Sequence, residues 1–111
     1  MVKTKPQLRA IVKRLVAQLE EKSIFVQKLI LFGSYVTGKA EEYSDMDIAV
    51  ISDSFRGKGI LKRQELLGEA LYSLGEPIEA LGYTVSEYRN IKPASFLSEI
   101  ISSGKVIYSK N

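Results

Sequence analysis

Leu8, Ile11, Val12, Leu15, Val16 and Leu19 recur at intervals of three and four, which draws one apolar stripe along a helix and leaves Lys13, Arg14, Gln18 and Glu21 off it. Thr4 stands where it can cap that helix, with Pro6 tolerated in the first turn and Gln7 in the capping-box position. Ser23 breaks the period. The β-branched and apolar run Ile24 to Phe32 predicts a first strand within it, ending at Phe32. Near-continuous apolar character from Leu29 to Phe32 predicts burial on both faces, with helices on each side of a sheet. Gly33-Ser34 then turns the chain. Tyr35 to Thr37 predicts a short helix ended by Gly38, and Lys39 to Ser44 a polar loop before a second strand, Asp45 to Ile51.

Asp53 to Gly59 reads as a loop with little periodicity. Leu61, Leu67, Ala70, Leu71 and Leu74 predict a helix from Ile60 to about Leu74, closed by Gly75. Ile78 to Thr84 predicts a third strand in which Glu79 is an isolated charge, and Ser86-Glu87-Tyr88 a turn. Pro93 or Ser95 opens a last helix carrying Phe96, Leu97, Ile100 and Ile101, Gly104 ends it, and Lys105 to Tyr108 forms a short terminal strand. Strands alternating with helices place the chain in the α/β class, with one small sheet flanked by helices. Its 111 residues are expected to form a single domain, 1–111, without internal repeat or linker.

Composition mainly narrows the chemistry. A 45% hydrophobic and 26% charged balance speaks against disorder. The net charge of +3 comes from sixteen scattered Lys and Arg, a weak footing for nucleic acid as a direct ligand, and the basic outer face of the first helix reads as solvated surface. Without Cys or His there is no disulfide, thiolate nucleophile, Cys-based zinc site or imidazole base, which excludes serine- and cysteine-protease chemistry. No apolar signal core and no stretch of membrane-spanning length is present, so a cytoplasmic protein is expected.

What remains for chemistry is carboxylates, hydroxyls, amines, backbone dipoles and metal. In an extended strand Asp45 and Asp47 emerge on one side while Met46 and Ile48 point to the other. Two like charges so close repel, and a divalent cation removes that objection because paired carboxylates suit Mg²⁺. Gly33-Ser-Tyr-Val-Thr-Gly38-Lys39 also imitates a P-loop. That reading is set aside: Ala40 lacks the required hydroxyl, Glu41 and Glu42 would bring acid to the phosphates, and a strand follows where a long helix is needed. Plainer readings stand beside the metal-phosphate site: Gly33-Ser34 as an ordinary strand-ending turn, Asp45 closing a loop, Asp47 and Glu79 solvated on edge strands.

Gly33-Ser34, three residues, Gly38, five residues, then Ser44-Asp45-Met46-Asp47 closely resembles the polymerase β-type nucleotidyltransferases, and more narrowly the minimal nucleotidyltransferases, over Leu29 to about Thr84. The resemblance implies a polymerase β-like fold with a small mixed sheet, and a third carboxylate on a later strand, matched by Glu79 with Glu76 as the weaker alternative. It implies that Asp45, Asp47 and Glu79 are catalytic and ligate two Mg²⁺ ions, that Gly33 and Ser34 hold the phosphates of the nucleotide, and that ATP is the donor. Tyr35, Tyr43 and Tyr83 are candidates either for stacking on a base or for plain packing.

The resemblance also implies a partner. Minimal nucleotidyltransferases often pair with a small helical HEPN protein as a toxin-antitoxin system, in which the nucleotidyltransferase-like partner is the antitoxin, and some such proteins transfer AMP from ATP to a tyrosine of the toxin. Two positions depart from the family pattern: Thr37 stands where an Arg often precedes the second Gly, and Glu79 where Asp is common. These 111 residues contain no counterpart of the helical substrate domain of larger relatives, so the acceptor is expected to be held by another protein or by a second copy of the chain. A catalytically inactive antitoxin acting by contact, and transfer to a small molecule or RNA end, are the rival readings.

Overall fold

A computed structural model describes residues 3–41 and 44–110 of the chain, so Tyr43 lies outside the described residues. The capping box forms as the sequence predicts: the Gln7 amide donates to Thr4 Oγ1 at 3.3 Å and the Thr4 amide to Gln7 Oε1 at 2.7 Å. Helix α1 runs Lys5–Glu21, burying Ile11, Leu15 and Leu19, and the chain leaves it through Ser23 at φ 63°.

Strand β1, Lys28–Phe32, pairs antiparallel with β2, Met46–Ile51, and with β4, Lys105–Ser109, while β2 pairs parallel with β3, Ile78–Tyr83. The sheet is therefore mixed, in the order β3-β2-β1-β4. Both faces are covered, as the Leu29 to Phe32 run requires. On one face Leu29, Leu31, Met46, Ile48, Val50 and Ala80 pack with α1 and with α3, Ile60–Tyr72. On the other, Ile30, Ala49 and Ile51 meet Ile100 of α5, Phe96–Ser103, flanked by Val85 and Tyr88 of α4, Val85–Arg89. The short helix α2, Ser34–Thr37, follows β1 directly and ends on Gly38 in the left-handed conformation.

Four details differ from the pattern read along the chain. The Ser86-Glu87-Tyr88 turn is the helix α4, because Thr84 and Glu87 form a second capping box that starts it. The Asp53 to Gly59 loop contains a 3₁₀ turn, Asp53–Phe55, that sends Phe55 fully into the core against Gly82, where a Cβ would lie 2.8 Å from its ring. Helix α3 stops at Tyr72 and leaves Leu61 exposed, since only Leu67 and Ala70 are fully buried on its inner face. Strand β2 begins at Met46, whose amide donates to Pro77 O at 2.8 Å, so Asp45 stands one residue ahead of the ladder.

Candidate active site

Period-two alternation along β2 puts Met46, Ile48 and Val50 against α1 and α3, and so turns Asp47 to the opposite face. The register then builds a row across the sheet at that level. Phe32 of β1 stands opposite Asp47, and Asp47 stands opposite Glu79 of β3. Asp45, exposed just before the strand, adds its charge to the same group. The three sequence-predicted carboxylates are thus brought together, and the isolated charge of Glu79 has a place: in a parallel pair, equal register means a shared face.

The electrostatics follow from that proximity. Burial pushes the Asp47 carboxyl above the ordinary Asp value of 3.8, the charge of Asp45 adds to this, and a shared proton with Glu79 works against it. The charges of Asp45 and then Asp47 raise Glu79 above its ordinary 4.5. Among the described residues no Lys or Arg forms an ion pair with Asp45, Asp47 or Glu79. Glu76, the alternative third ligand, is engaged instead by Lys3 at 3.4 Å and Arg14 at 3.5 Å. The basic face of α1 therefore serves partly as an internal clamp, with Arg14 also donating to Leu74 O at 2.6 Å.

Gly33 closes the group from the β1 side. Its backbone adopts φ 74°, ψ −148°, a conformation essentially confined to glycine, and a Cβ at this position would collide with Asp47 Oδ2. The following turn uses the Val36 and Thr37 amides to bond Gly33 O at 3.0 and 3.1 Å. Ser34 and Tyr35, earlier in the turn, keep their amides outside those bonds. Thr37 is exposed and its hydroxyl donates to Ser34 O at 3.4 Å.

A cleft of about 660 Å³ opens beside the carboxylates, lined by Phe32, Asp47, Glu79, Phe96, Gln64 and Tyr72 among others. It wraps the free edge of β3, because its walls take Ile78 and Ala80 from one face of that strand and Glu79 and Leu81 from the other. Gln64 and Arg63 of α3 donate to the outward carbonyls of Ala80 and Gly82, both at 3.1 Å, which blunts the edge. A second hollow, about 410 Å³, lies on the other side of Phe96 against Gly33 and Thr37. In the sequence Phe32 and Phe96 read only as a strand end and an apolar helix position, not as site residues. Period two could have put Phe32 on the face of Ile30, but only the register sets it beside Asp47.

The tyrosines resolve differently. Tyr35 packs on the α1 and α3 side of the core. Tyr83 packs in the second cluster opposite Ile51, four residues and about 13 Å along the strands from the carboxylate row. Burial raises its hydroxyl pKa, with the charge of Glu87 adding to the shift.

Residues 13–111 match the family model described as polymerase beta, nucleotidyltransferase. The chain belongs to that family. No curated protein sequence matches it. Solved structures similar to this nucleotidyltransferase include a Sulfolobus solfataricus protein described as a nucleotidyltransferase, 15% identical with a TM-score of 0.57 over 99% of this chain and 93% of that one. A toxin-antitoxin structure with AMP-PNP is 22% identical, TM-score 0.55, over 89% of this chain and 73% of that one. A third contains a tri-AMPylated Shewanella oneidensis HEPN toxin in complex with an MNT antitoxin, 19% identical, TM-score 0.50, over 91% of this chain and 71% of that one. These likenesses bear on the fold, which is the polymerase β-like arrangement that the Gly-Ser and Asp-x-Asp blocks imply.

Whether the site suits Mg²⁺ rests on its donors. Three carboxylates uncompensated by any described cationic side chain, with Asp47 raised chiefly by burial and Glu79 by the charges of its two neighbours, are hard oxygen ligands lacking a counter-charge. Among the described residues no group of three or more acidic side chains is arranged to hold a metal ion. The donor chemistry of Asp45, Asp47 and Glu79 fits a divalent cation. No described helix is long and apolar enough to cross a membrane.

Proposed function

We propose that this chain is a single-domain, cytoplasmic minimal nucleotidyltransferase that transfers AMP from ATP to a tyrosine hydroxyl of a HEPN-type helical partner and thereby acts as its antitoxin. The observation that carries the reading is the carboxylate row of Asp47 and Glu79 with Asp45, closed on one side by the Gly33 backbone, in a member of the nucleotidyltransferase family. The AMP-PNP complex and the tri-AMPylated toxin complex among the structural neighbours support the choice of nucleotide and acceptor.

In this reading the residues divide the work. Gly33, with no side chain, lets the triphosphate approach the backbone, and Ser34 offers it a hydroxyl and an amide. Asp45 and Asp47 would hold the two Mg²⁺ ions, and Glu79 would complete one of the two sites and assist in taking the proton of the incoming hydroxyl. Bound Mg²⁺ supplies charge neutralisation at the phosphates and a more acidic acceptor hydroxyl. Balance is simple: the acceptor oxygen bonds to the α-phosphorus, pyrophosphate leaves, and the hydroxyl proton passes to a base. Nucleotidyl transfer asks for positioning and charge more than for a covalent nucleophile, so the absence of His and Cys is no obstacle.

One observation favours a second reading. Thr37 is exposed and its hydroxyl is turned to Ser34 O, so the position where relatives often carry Arg brings no cation to the triphosphate. A chain that binds its partner without transferring AMP fits that change. Incubation of the protein and its HEPN-type partner with labelled ATP and Mg²⁺ separates the two. Label on the partner with wild type and none with Asp47→Asn supports transfer; a tight complex with no label from either protein overturns it in favour of binding alone. Label in a small molecule or RNA would overturn the protein acceptor.

A further inference from the structure

Phe96, 54% exposed, is the first residue of α5, and it stands edge-to-face with Phe32 at 6.0 Å between centroids and 83° between ring planes. Phe32 is in turn the cross-strand neighbour of Asp47. From these contacts we propose that Phe96 is the platform on which the nucleobase of the bound nucleotide stacks. The inference rests on the nucleotide site proposed above and names its base-binding residue.

The position of the ring supports this assignment. Phe96 borders both hollows, the one containing Asp47 and Glu79 and the one containing Gly33 and Thr37, so it flanks the carboxylates and the phosphate turn alike. A large apolar surface left over half exposed at the rim of a charged cleft costs hydration, and a planar aromatic ligand covers it. Among the described residues the other candidate aromatics are less well placed. Tyr35 and Tyr83 pack in the two cores, and Phe25, 57% exposed, has its amide bonded to Ser54 Oγ beyond the far end of β2. Tyr72 lines the cleft from α3, on the opposite face of the sheet from Asp47. Ser102 and Ser103 near Phe96 already donate to Glu99 O at 3.2 and 2.7 Å, so stacking rather than hydroxyl readout is what this wall offers a base.

The test is calorimetric titration of the whole chain with ATP and with tripolyphosphate, each with Mg²⁺, for wild type, Phe96→Ala and Phe96→Tyr. Expected is an ATP affinity about tenfold weaker in Phe96→Ala, near-wild-type affinity in Phe96→Tyr, and unchanged tripolyphosphate affinity in all three. If Phe96→Ala binds ATP as wild type does, or loses ATP and tripolyphosphate by the same factor, the platform is overturned while the nucleotide site stands. If wild type binds neither ligand, the nucleotide site falls and the platform falls with it.

Discussion

Asp47 and Glu79 sit directly opposite one another in the parallel ladder of β2 and β3, two carboxylates on one face with no described cationic side chain paired to either. Like charges directly opposite in a sheet destabilise it, so the bare pair costs the fold stability. Asp47→Asn should raise metal-free stability at pH 7 by about 0.5 kcal/mol, and Glu79→Gln should shift it in the same direction. Millimolar Mg²⁺ should raise the melting temperature of wild type and leave Asp47→Asn unmoved. Chemical denaturation and calorimetry with and without Mg²⁺ check both, and equal Mg²⁺ shifts in wild type and variant would remove Asp47 from the ligand set.

The same pair sets a pH dependence. Both carboxyls are raised in the folded chain, so over the window from the ordinary values, 3.8 and 4.5, up to the folded values the native state binds more protons than the unfolded one. Their contribution is fully present below that window and declines as pH rises through it. The stability advantage of Asp47→Asn over wild type should be absent near pH 3.5, appear as pH rises, and level off at neutrality.

Glu87 provides the opposite sign. Burial pushes its carboxyl up, but the hydrogen bond and charge of Arg63 and the bonds from Thr84 outweigh it and leave the pKa lowered. Its stabilising contribution is present above 4.5 and is lost as pH falls through the lowered value. Glu87→Gln should therefore destabilise at pH 7 and converge on wild type in acid. A difference that persists unchanged at low pH would mean the loss is packing rather than charge.

Gly33→Ala tests the closeness of backbone and carboxylate. The substitution meets a conformation alanine rarely adopts and a direct collision with Asp47, so a loss of roughly 1–3 kcal/mol is expected together with weakened ATP binding. Gly38→Ala, also at positive φ but with open space around its Cβ position, should cost less and spare nucleotide affinity. Urea titrations paired with ATP calorimetry on both variants provide the comparison, and equal effects would contradict the role of the Gly33–Asp47 approach.

Thr37→Arg places a cation at the position where the family resemblance leads one to expect Arg. Thr37 is exposed, so the fold should tolerate it, and charge-assisted contact with a triphosphate should strengthen ATP binding several-fold, with the gain shrinking as salt rises. Unchanged affinity in low salt would place the phosphates elsewhere.

Local sequence settled the parts of this molecule that local physics controls. The Thr4 box, the strand end at Phe32 and the Gly38 terminus each depend on residues within a few positions of one another and appear where the pattern along the chain puts them, while of the two starts it left open for the last helix, Pro93 and Ser95, the Ser95 cap is the one that forms. Asp45 and Asp47 were legible as a pair for the same reason, since two residues apart in an extended segment means one side. The partnership of Asp47 with Glu79 was different: it spans thirty-two positions and depends on register, which no short-range pattern carries, so Glu79 entered through family resemblance alone. Tertiary structure likewise decided that Lys3 and Arg14 hold Glu76, that Phe55 leaves its loop for the core against Gly82, and that Gly33 lies against the Asp47 carboxylate. Phe96 could be read from the sequence only as one more apolar position on the last helix. It became a candidate for nucleotide recognition because the packing of α5 across β1 leaves its ring half uncovered beside the carboxylate row, and exposure of that kind exists only once distant elements have met.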